Sequence, residues 1–370
     1  MSKNQNIYFL LILLLISHLA IGQDKNDYKE LVQALDKEVP ERMKEKNDPG
    51  MAMVIFDKGE IIYNKGLGYA DVKAKRPVTD ETGFNIGSIS KLFTAWGVMK
   101  LVQDGKVDLD APVEQYIKRW KIPASAFDSK KVTLRALLSH TAGLSVHGYP
   151  GFRSTQKLPS LEASLNGANG DAHEDEPVEI IIAPQTKFQY SGGGYTILQL
   201  MIEEVTGQSF ARYMEKTVFR PLDLQHTSFI IDKHVRQHTA TPYNEEGERI
   251  YLEHFTAQAA AGLHTTLEDM VKFTRSTFNG NSVLTAETLE TMRTPDPNTN
   301  GTYGLGYMNY KMGPITVNGH AGSNDGWESA IMMDFKDQSG VIMLTNGSLG
   351  KDVGMATMRQ WVGWKARASR

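Results

Sequence analysis

The sequence predicts an α/β protein of the α+β type, with one mixed, mostly antiparallel sheet assembled from both chain ends and flanked by helices. A second, helical lobe is expected from the middle of the chain. Three observations carry this: strand-like runs within 51–63, a largely helical pattern from 88 to 278, and a return of strand-like runs within 303–346. Pro- and Gly-containing stretches between these runs read as loops, so no linker divides the chain.

The elements follow in order. Lys3, the apolar run Ile7 to Ile16 and the small residues Ala20-Ile21-Gly22 have the layout of a cleaved export signal, predicted as residues 1–22. The alternative, an uncleaved anchor, needs roughly 20 apolar residues, and Ser17 and His18 interrupt this run. The mature chain is therefore expected in the periplasm or outside the cell. It lacks a lipobox cysteine and is expected to have no stable membrane partner after cleavage. Tyr28, Leu31, Val32 and Leu35 are spaced as one helix face, predicted from Asp27 toward a break or kink at Pro40. Met51 to Phe56 and Ile61 to Tyr63 flank Asp57-Lys58-Gly59-Glu60 and read as a hairpin.

A mostly apolar helix is predicted from Ser88 to about Asp104, with Gly105 past its end. Further helices are expected at Thr133 to Ser139, Tyr195 to Thr206, Ser209 to Val218 and Thr266 to Phe278, the last with Thr265 and Glu268 as a capping box. His147 to Pro184 shows no periodicity and reads as a lid or substrate-facing loop. Strands return at Tyr303 to Tyr310, Ile315 to Asn318, Trp327 to Asp334 and Gly340 to Asn346, and a final helix runs from about Asp352 to Trp364. Residues 23–370 thus form one unit. Its sheet lobe comes from about 23–90 and 300–370, its helical lobe from about 91–299, and a cleft between them is the natural site.

Composition narrows the chemistry. Of 370 residues, 41% are apolar and 22% charged, with 33 Gly and 14 Pro, the balance of a globular protein. A net charge of −3 supplies no basic field for nucleic acid. The absence of cysteine removes disulfides, thiolate nucleophiles and Cys-ligated metals. His234 and His238 are four apart but have no third ligand at suggestive spacing, so no metal or other cofactor is expected. No Gly-x-Ser-x-Gly elbow, phosphate loop or dinucleotide fingerprint occurs.

Three patterns remain. Ser88-Ile89-Ser90-Lys91 places an amine on the same helix face as a hydroxyl. A serine hydroxyl attacks well only when a base takes its proton, and a desolvated lysine can be that base. Tyr190 precedes Gly192-Gly193-Gly194, and His320 precedes Ala321-Gly322-Ser323 on a strand. Each alone has a bland reading: a capping serine, a core tyrosine, a satisfied strand histidine.

Their order, together with Phe84 to Lys91 and Leu137-Leu138-Ser139-His140-Thr141-Ala142-Gly143-Leu144, resembles the serine β-lactamase and penicillin-binding protein superfamily. The resemblance is closest to its class C β-lactamase-like branch of esterases and D-peptidases, and it extends over nearly the whole mature chain. It implies a β-lactamase/transpeptidase-like fold. It also implies Ser88 as nucleophile, Lys91 as its activating partner, Tyr190 as proton shuttle, His320 in the third motif and the backbone N–H groups of Ser88 and Ser323 as oxyanion hole. Lys91 and His320 are expected to lower the Tyr190 phenol.

Gly192 stands where relatives carry Asn, whose amide contacts a substrate carbonyl. Gly192 and Gly322 are expected to line the substrate site, with Gly192 to Gly194 opening it to a bulkier acyl group. The implied activity is hydrolysis of a small-molecule or peptide ester or amide, D-amino-acid peptides included. β-Lactamase activity ranks behind it, and the reading from another class is a non-catalytic binding or sensing protein.

Overall fold

The computed structural model describes residues 28–168, 176–313 and 315–368, without the side chain of Ala368. The proposed export signal lies outside the described residues. Among the described residues no helix is long and apolar enough to cross a membrane.

In chain order the strands are β1 (Gly50–Asp57), β2 (Glu60–Asp71), β3 (Arg76–Pro77), β4 (Gly83–Asn85), β5 (His264–Thr266), β6 (Met308–Met312), β7 (Ile315–Asn324), β8 (Trp327–Asp334) and β9 (Ser339–Thr345). The helices are α1 (28–45), α2 (Ser90–Gln103), α3 (Leu134–Leu138), α4 (Leu161–Leu165), α5 (Gly192–Thr206), α6 (Phe210–Met214), α7 (Lys233–His238), α8 (Gln258–Ala261), α9 (Leu267–Phe278), α10 (Ala286–Arg293) and α11 (Gly350–Ala368).

Seven strands form one antiparallel sheet in the order β3-β2-β1-β9-β8-β7-β6, so strands from the two chain ends meet at β1 and β9. Both central strands are buried along their whole length. Their alternate side chains enter different cores, as a period of two requires. Met51, Met53, Ile55, Val341 and Met343 pack with Leu31, Leu35, Val39 and Met43 of α1 and Trp361 of α11. Ala52, Val54, Ile342 and Leu344 face the larger core that contains α2, α5 and α9. The predicted fold class is therefore the observed one, a sheet between a two-helix layer and a helical lobe.

Differences from the sequence reading are local and have physical reasons. Helix α1 runs through Pro40 to residue 45; Pro40 is exposed, while Leu31, Leu35, Val39 and Met43 keep one face buried on the sheet. Tertiary packing of that face outweighs the lost backbone bond. The cap of α9 is Thr266, which accepts from the Asp269 N–H, and Thr265 instead lies in β5, bonded through its hydroxyl to Thr227. Residues 303–307 are irregular, and only Met308–Met312 pairs with β7. The 147–184 segment holds α4, capped by Ser160, and Phe152 pairs with His254, so its described parts are packed against the body.

Candidate active site

Ser88 lies in a single 3-10 turn, Gly87–Ile89, that leads into α2; the α-helix itself starts at Ser90. Gly87 takes φ +49°, a left-handed conformation that a glycine adopts without strain, and a Cβ there would sit 2.6 Å from the Ser323 backbone N. Asn85 holds the turn: its side-chain oxygen accepts from the Gly87 N–H at 2.9 Å and from Asn324 Nδ2 at 2.7 Å. The Ser88 turn is thus wedged against the end of β7.

That wedge brings one free backbone donor to the turn. Asn324 pairs with Trp327 across the Asp325-Gly326 turn, and Ser323 pairs with Glu328. Hydrogen-bonded and non-bonded pairs alternate along an antiparallel ladder, so the Ser323 N–H points away from β8, toward Gly87 and Ser88. A Cβ on Gly322 would lie 2.0 Å from the Ile86 carbonyl oxygen. Gly322 is buried and permits this close approach of β7 to the turn.

Lys91, on the first turn of α2, is 1% exposed. Its Nζ donates to Ser88 Oγ at 3.1 Å and to the Ala260 carbonyl on α8 at 2.8 Å. No carboxylate pairs with it among the described residues, and burial alone lowers its ammonium from 10.5 to about 7. The charged form loses hydration that two neutral acceptors do not replace. Near neutral pH a large fraction of Lys91 is a free amine, able to take the Ser88 proton.

Tyr190 precedes Ser191, whose hydroxyl caps α5 by accepting from the Gly194 N–H, so the three glycines form the first turn of the helix. The phenol is half-buried, and Lys91 Nζ lies 5.0 Å from the ring centroid. Burial raises the phenol well above its ordinary value, with the nearby Ser88 hydroxyl opposing only in part. This corrects the expectation that Lys91 and His320 would lower it. Lys91 is itself depressed, and His320 is neutral.

His320 on β7 is fully buried, and burial followed by the Lys91 charge takes its imidazole down to about 3. Its Nδ1 lies 2.6 Å from the Ala321 carbonyl oxygen and its Nε2 2.9 Å from the Tyr303 hydroxyl. A carbonyl only accepts, so Nδ1 carries the proton and Tyr303 donates to Nε2. The ring centroid is 6.4 Å from that of Tyr190. His320 therefore lies near the phenol with both ring nitrogens engaged, one on the Ala321 carbonyl and one on the Tyr303 hydroxyl.

Two further histidines that the sequence reading did not assign meet Tyr190. His140, buried and at φ +57°, accepts the Ser191 N–H through Nδ1 at 3.1 Å and packs its ring 4.2 Å from the phenol. His147 packs from the exposed side at 4.8 Å. The strap that carries it is tied to α5. Gly192 and Gly193 donate to the His147 and Val146 carbonyls at 2.9 and 3.2 Å, and Ser191 Oγ donates to the Ser145 carbonyl at 2.5 Å. Val146 takes φ +57°, which for a β-branched residue costs on the order of 1–2 kcal/mol and persists only because these bonds impose it.

The strap also lies close against the first turn of α5. A Cβ there would lie 3.0 Å from the His147 carbonyl oxygen and 3.3 Å from Gly148 Cα, and one on Gly193 would lie 2.7 Å from Val178 Cγ2. All three glycines are buried, and the strap and Val178 crowd the first two. His234 and His238, elsewhere on the surface, stack at 4.4 Å, and no cluster of metal-ligating residues occurs among the described residues.

Comparison with known proteins agrees with this architecture. Residues 35–362 match the Beta-lactamase family. Protein flp of Staphylococcus aureus (strain N315) is 26% identical over 323 residues, 85% of this chain and 63% of that protein. The chain therefore spans under two thirds of the length of that relative. The putative penicillin-binding protein PbpX of Bacillus subtilis (strain 168) is 26% identical over 285 residues, 75% of this chain and 67% of that protein.

Among solved structures, the octameric penicillin-binding protein homologue from Pyrococcus abyssi superposes with a TM-score of 0.76 at 28% identity, covering 90% of this chain and 77% of that one. SurE superposes with a TM-score of 0.71 at 24% identity, covering 92% and 77%. The chain belongs to the Beta-lactamase family, within the superfamily of serine β-lactamases and penicillin-binding proteins.

Proposed function

We propose that this protein is an exported serine hydrolase that opens an ester or amide through an acyl-enzyme on Ser88. The observation that carries the reading is the buried Lys91 amine, with no carboxylate partner among the described residues, at 3.1 Å from Ser88 Oγ and with its ammonium lowered to about 7. A group with that value at that distance is a general base matched to neutral pH.

In this reading the Lys91 amine takes the Ser88 proton as Oγ attacks the acyl carbon. The resulting oxyanion is held by the backbone N–H groups of Ser88 and Ser323. Tyr190, kept protonated by burial, gives its proton to the leaving oxygen or nitrogen as the acyl bond breaks, and regains one from the Lys91 ammonium. Water then releases the acyl group by the same transfers in reverse. His320 takes no part in proton transfer; its ring nitrogens stay engaged on the Ala321 carbonyl and the Tyr303 hydroxyl. Small-molecule or peptide substrates fit this chemistry without any cofactor. Export rests on the layout of residues 1–22.

The test is intact mass after incubation with an activated p-nitrophenyl ester and, separately, a penicillin, beside Ser88→Ala. Ser88-dependent turnover or a covalent adduct is expected with the ester. A faster and reversible reaction with the penicillin would make the protein a β-lactamase instead. No adduct and no turnover with either compound would leave a binding protein that has lost its chemistry.

A further inference from the structure

Helix α8 is only four residues long, Gln-Ala-Ala-Ala. It closes one helical bond, from the Gly262 N–H to the Gln258 carbonyl at 2.9 Å, and its last three carbonyls have no helical partner. All three are taken by groups around Ser88. The Ala259 carbonyl accepts from Thr94 Oγ1 at 3.0 Å and the Ala260 carbonyl from Lys91 Nζ at 2.8 Å. The Ala261 carbonyl accepts from Asn85 Nδ2 at 3.3 Å and from Asn324 Nδ2 at 3.1 Å. One short segment thus holds the amine and also the two asparagines that brace the Ser88 turn.

Alanine side chains cannot anchor such a segment. Apart from Gln258, whose amide donates to the Phe229 carbonyl at 3.2 Å, α8 is held from outside. Gln199 of α5, 4% exposed, reaches both its entry and its first turn. Its Oε1 accepts the Ala259 N–H at 3.0 Å, and its Nε2 donates to the Thr256 carbonyl at 3.1 Å. Ala259 is therefore clamped on two sides, its N–H by α5 and its carbonyl by α2, directly before the carbonyl that holds Lys91. Of the two acceptors of the Lys91 amine, the Ser88 hydroxyl can rotate, whereas the Ala260 carbonyl stays where this clamp puts it.

We propose that Gln199 is a positioning residue for acyl transfer, which holds α8 against α5 and so keeps the Ala260 carbonyl where it aims the Lys91 amine at Ser88 Oγ. Both ends of the Gln199 amide are engaged on backbone, so it acts on the base only through α8. This inference rests on the acyl-transfer reading above, with Lys91 as the base.

The acid limb of kcat reports on Lys91 because its neighbours do not titrate there. Those that face it are Tyr190 and Tyr195, which burial keeps protonated, and His140, His147 and His320, which burial shifts toward the neutral form. The experiment measures kcat and KM for p-nitrophenyl acetate across the neutral pH range in wild type, Gln199→Met, Gln199→Ala and Ser88→Ala. Gln199→Met removes both bonds at similar volume, so the fold is kept even where the void left by Gln199→Ala destroys it. With the Ala259 N–H and the Thr256 carbonyl unpartnered, α8 shifts until water reaches them, and that water also hydrates the Lys91 ammonium. Gln199→Met is expected to lower kcat roughly ten-fold with KM unchanged and to raise the acid limb by roughly one pH unit, the scale of one hydrogen bond. A kcat that holds, or an acid limb that stays in place or moves down, overturns the inference while acyl transfer stands, since a merely structural glutamine would lower the melting temperature alone. Absence of Ser88-dependent turnover in wild type, or of an acid limb near 7, would instead remove the reading on which the inference rests.

Discussion

Burial of Lys91 gives it opposite effects on rate and on stability. The lysine is charged in the unfolded chain up to 10.5 and in the folded chain only up to about 7. Between those values the unfolded state binds more protons, so stability rises with pH from 7 to 10.5, and the cost is present in full below 7. The depression corresponds to roughly 5 kcal/mol as an upper bound. Lys91→Met should therefore abolish turnover and yet raise the melting temperature at pH 6 by several degrees, and the wild-type gain in melting temperature between pH 7 and 10 should vanish in the variant. The same group predicts that kcat/KM falls on the acid side of about pH 7, because only the free amine accepts the Ser88 proton. An acid limb that lies below pH 5 would move the base away from Lys91. The motif Ser88-Ile89-Ser90-Lys91 was legible as a hydroxyl and an amine; the ionisation of that amine was not, since the residues that dehydrate it come from α5 and α8.

At the scale of elements, the Ser88 turn depends on β4 and the end of β7 through Asn85. Asn85→Ala would leave the Gly87 N–H without its partner and release Asn324 from the turn. A buried donor left unsatisfied costs about 1–3 kcal/mol. We expect a melting temperature lower by a few degrees and a fall in kcat/KM of at least roughly ten-fold, from misplacement of the oxyanion donors. Because Lys91 is untouched, the acid limb of the pH profile should stay in place, and a displaced limb would show that Asn85 acts on the base instead. Strand β8 is observed within the bounds its turn-flanked sequence predicted, whereas β4 and β5, three residues each, are too short to show a period. Pro40 misleads for a related reason: propensity acts locally, and the stripe of Leu31, Leu35, Val39 and Met43 is paid back only on the sheet.

For the whole molecule, the two chain ends are closed over one face of the sheet by a buried charge cluster. Lys365 near the end of α11 donates to Asp57 at 2.8 Å, at the end of β1, and to Asp337 at 2.8 Å, between β8 and β9; Tyr28 of α1 also donates to Asp57, at 2.9 Å. Asp57 and Lys365 are 3% and 4% exposed. Removing one partner of such a pair strands a buried charge, at about 3–5 kcal/mol. Lys365→Ala should lower stability in a denaturant titration by an amount of that order while leaving the acylation rate of the folded protein unchanged. A loss below about 0.5 kcal/mol would mean that water reaches Asp57 and the cluster does not close the layer.

By itself the sequence determined the alternation of strand-like ends around a helical middle, and with it the fold class, and it determined which residues could supply a nucleophile, an amine and a phenol. Those are properties of short stretches, where period, cap and chemical type can be read directly. Only the tertiary structure decided that burial lowers Lys91 and raises Tyr190, that His320 is buried with both ring nitrogens engaged, and that the strap bearing His147 lies close against Gly192. Each of these depends on dehydration or close approach by chain far away in sequence, as with the Ala260 carbonyl bonded to Lys91 across 169 positions. Burial is a sum over contacts from many segments, and a local pattern does not contain that sum.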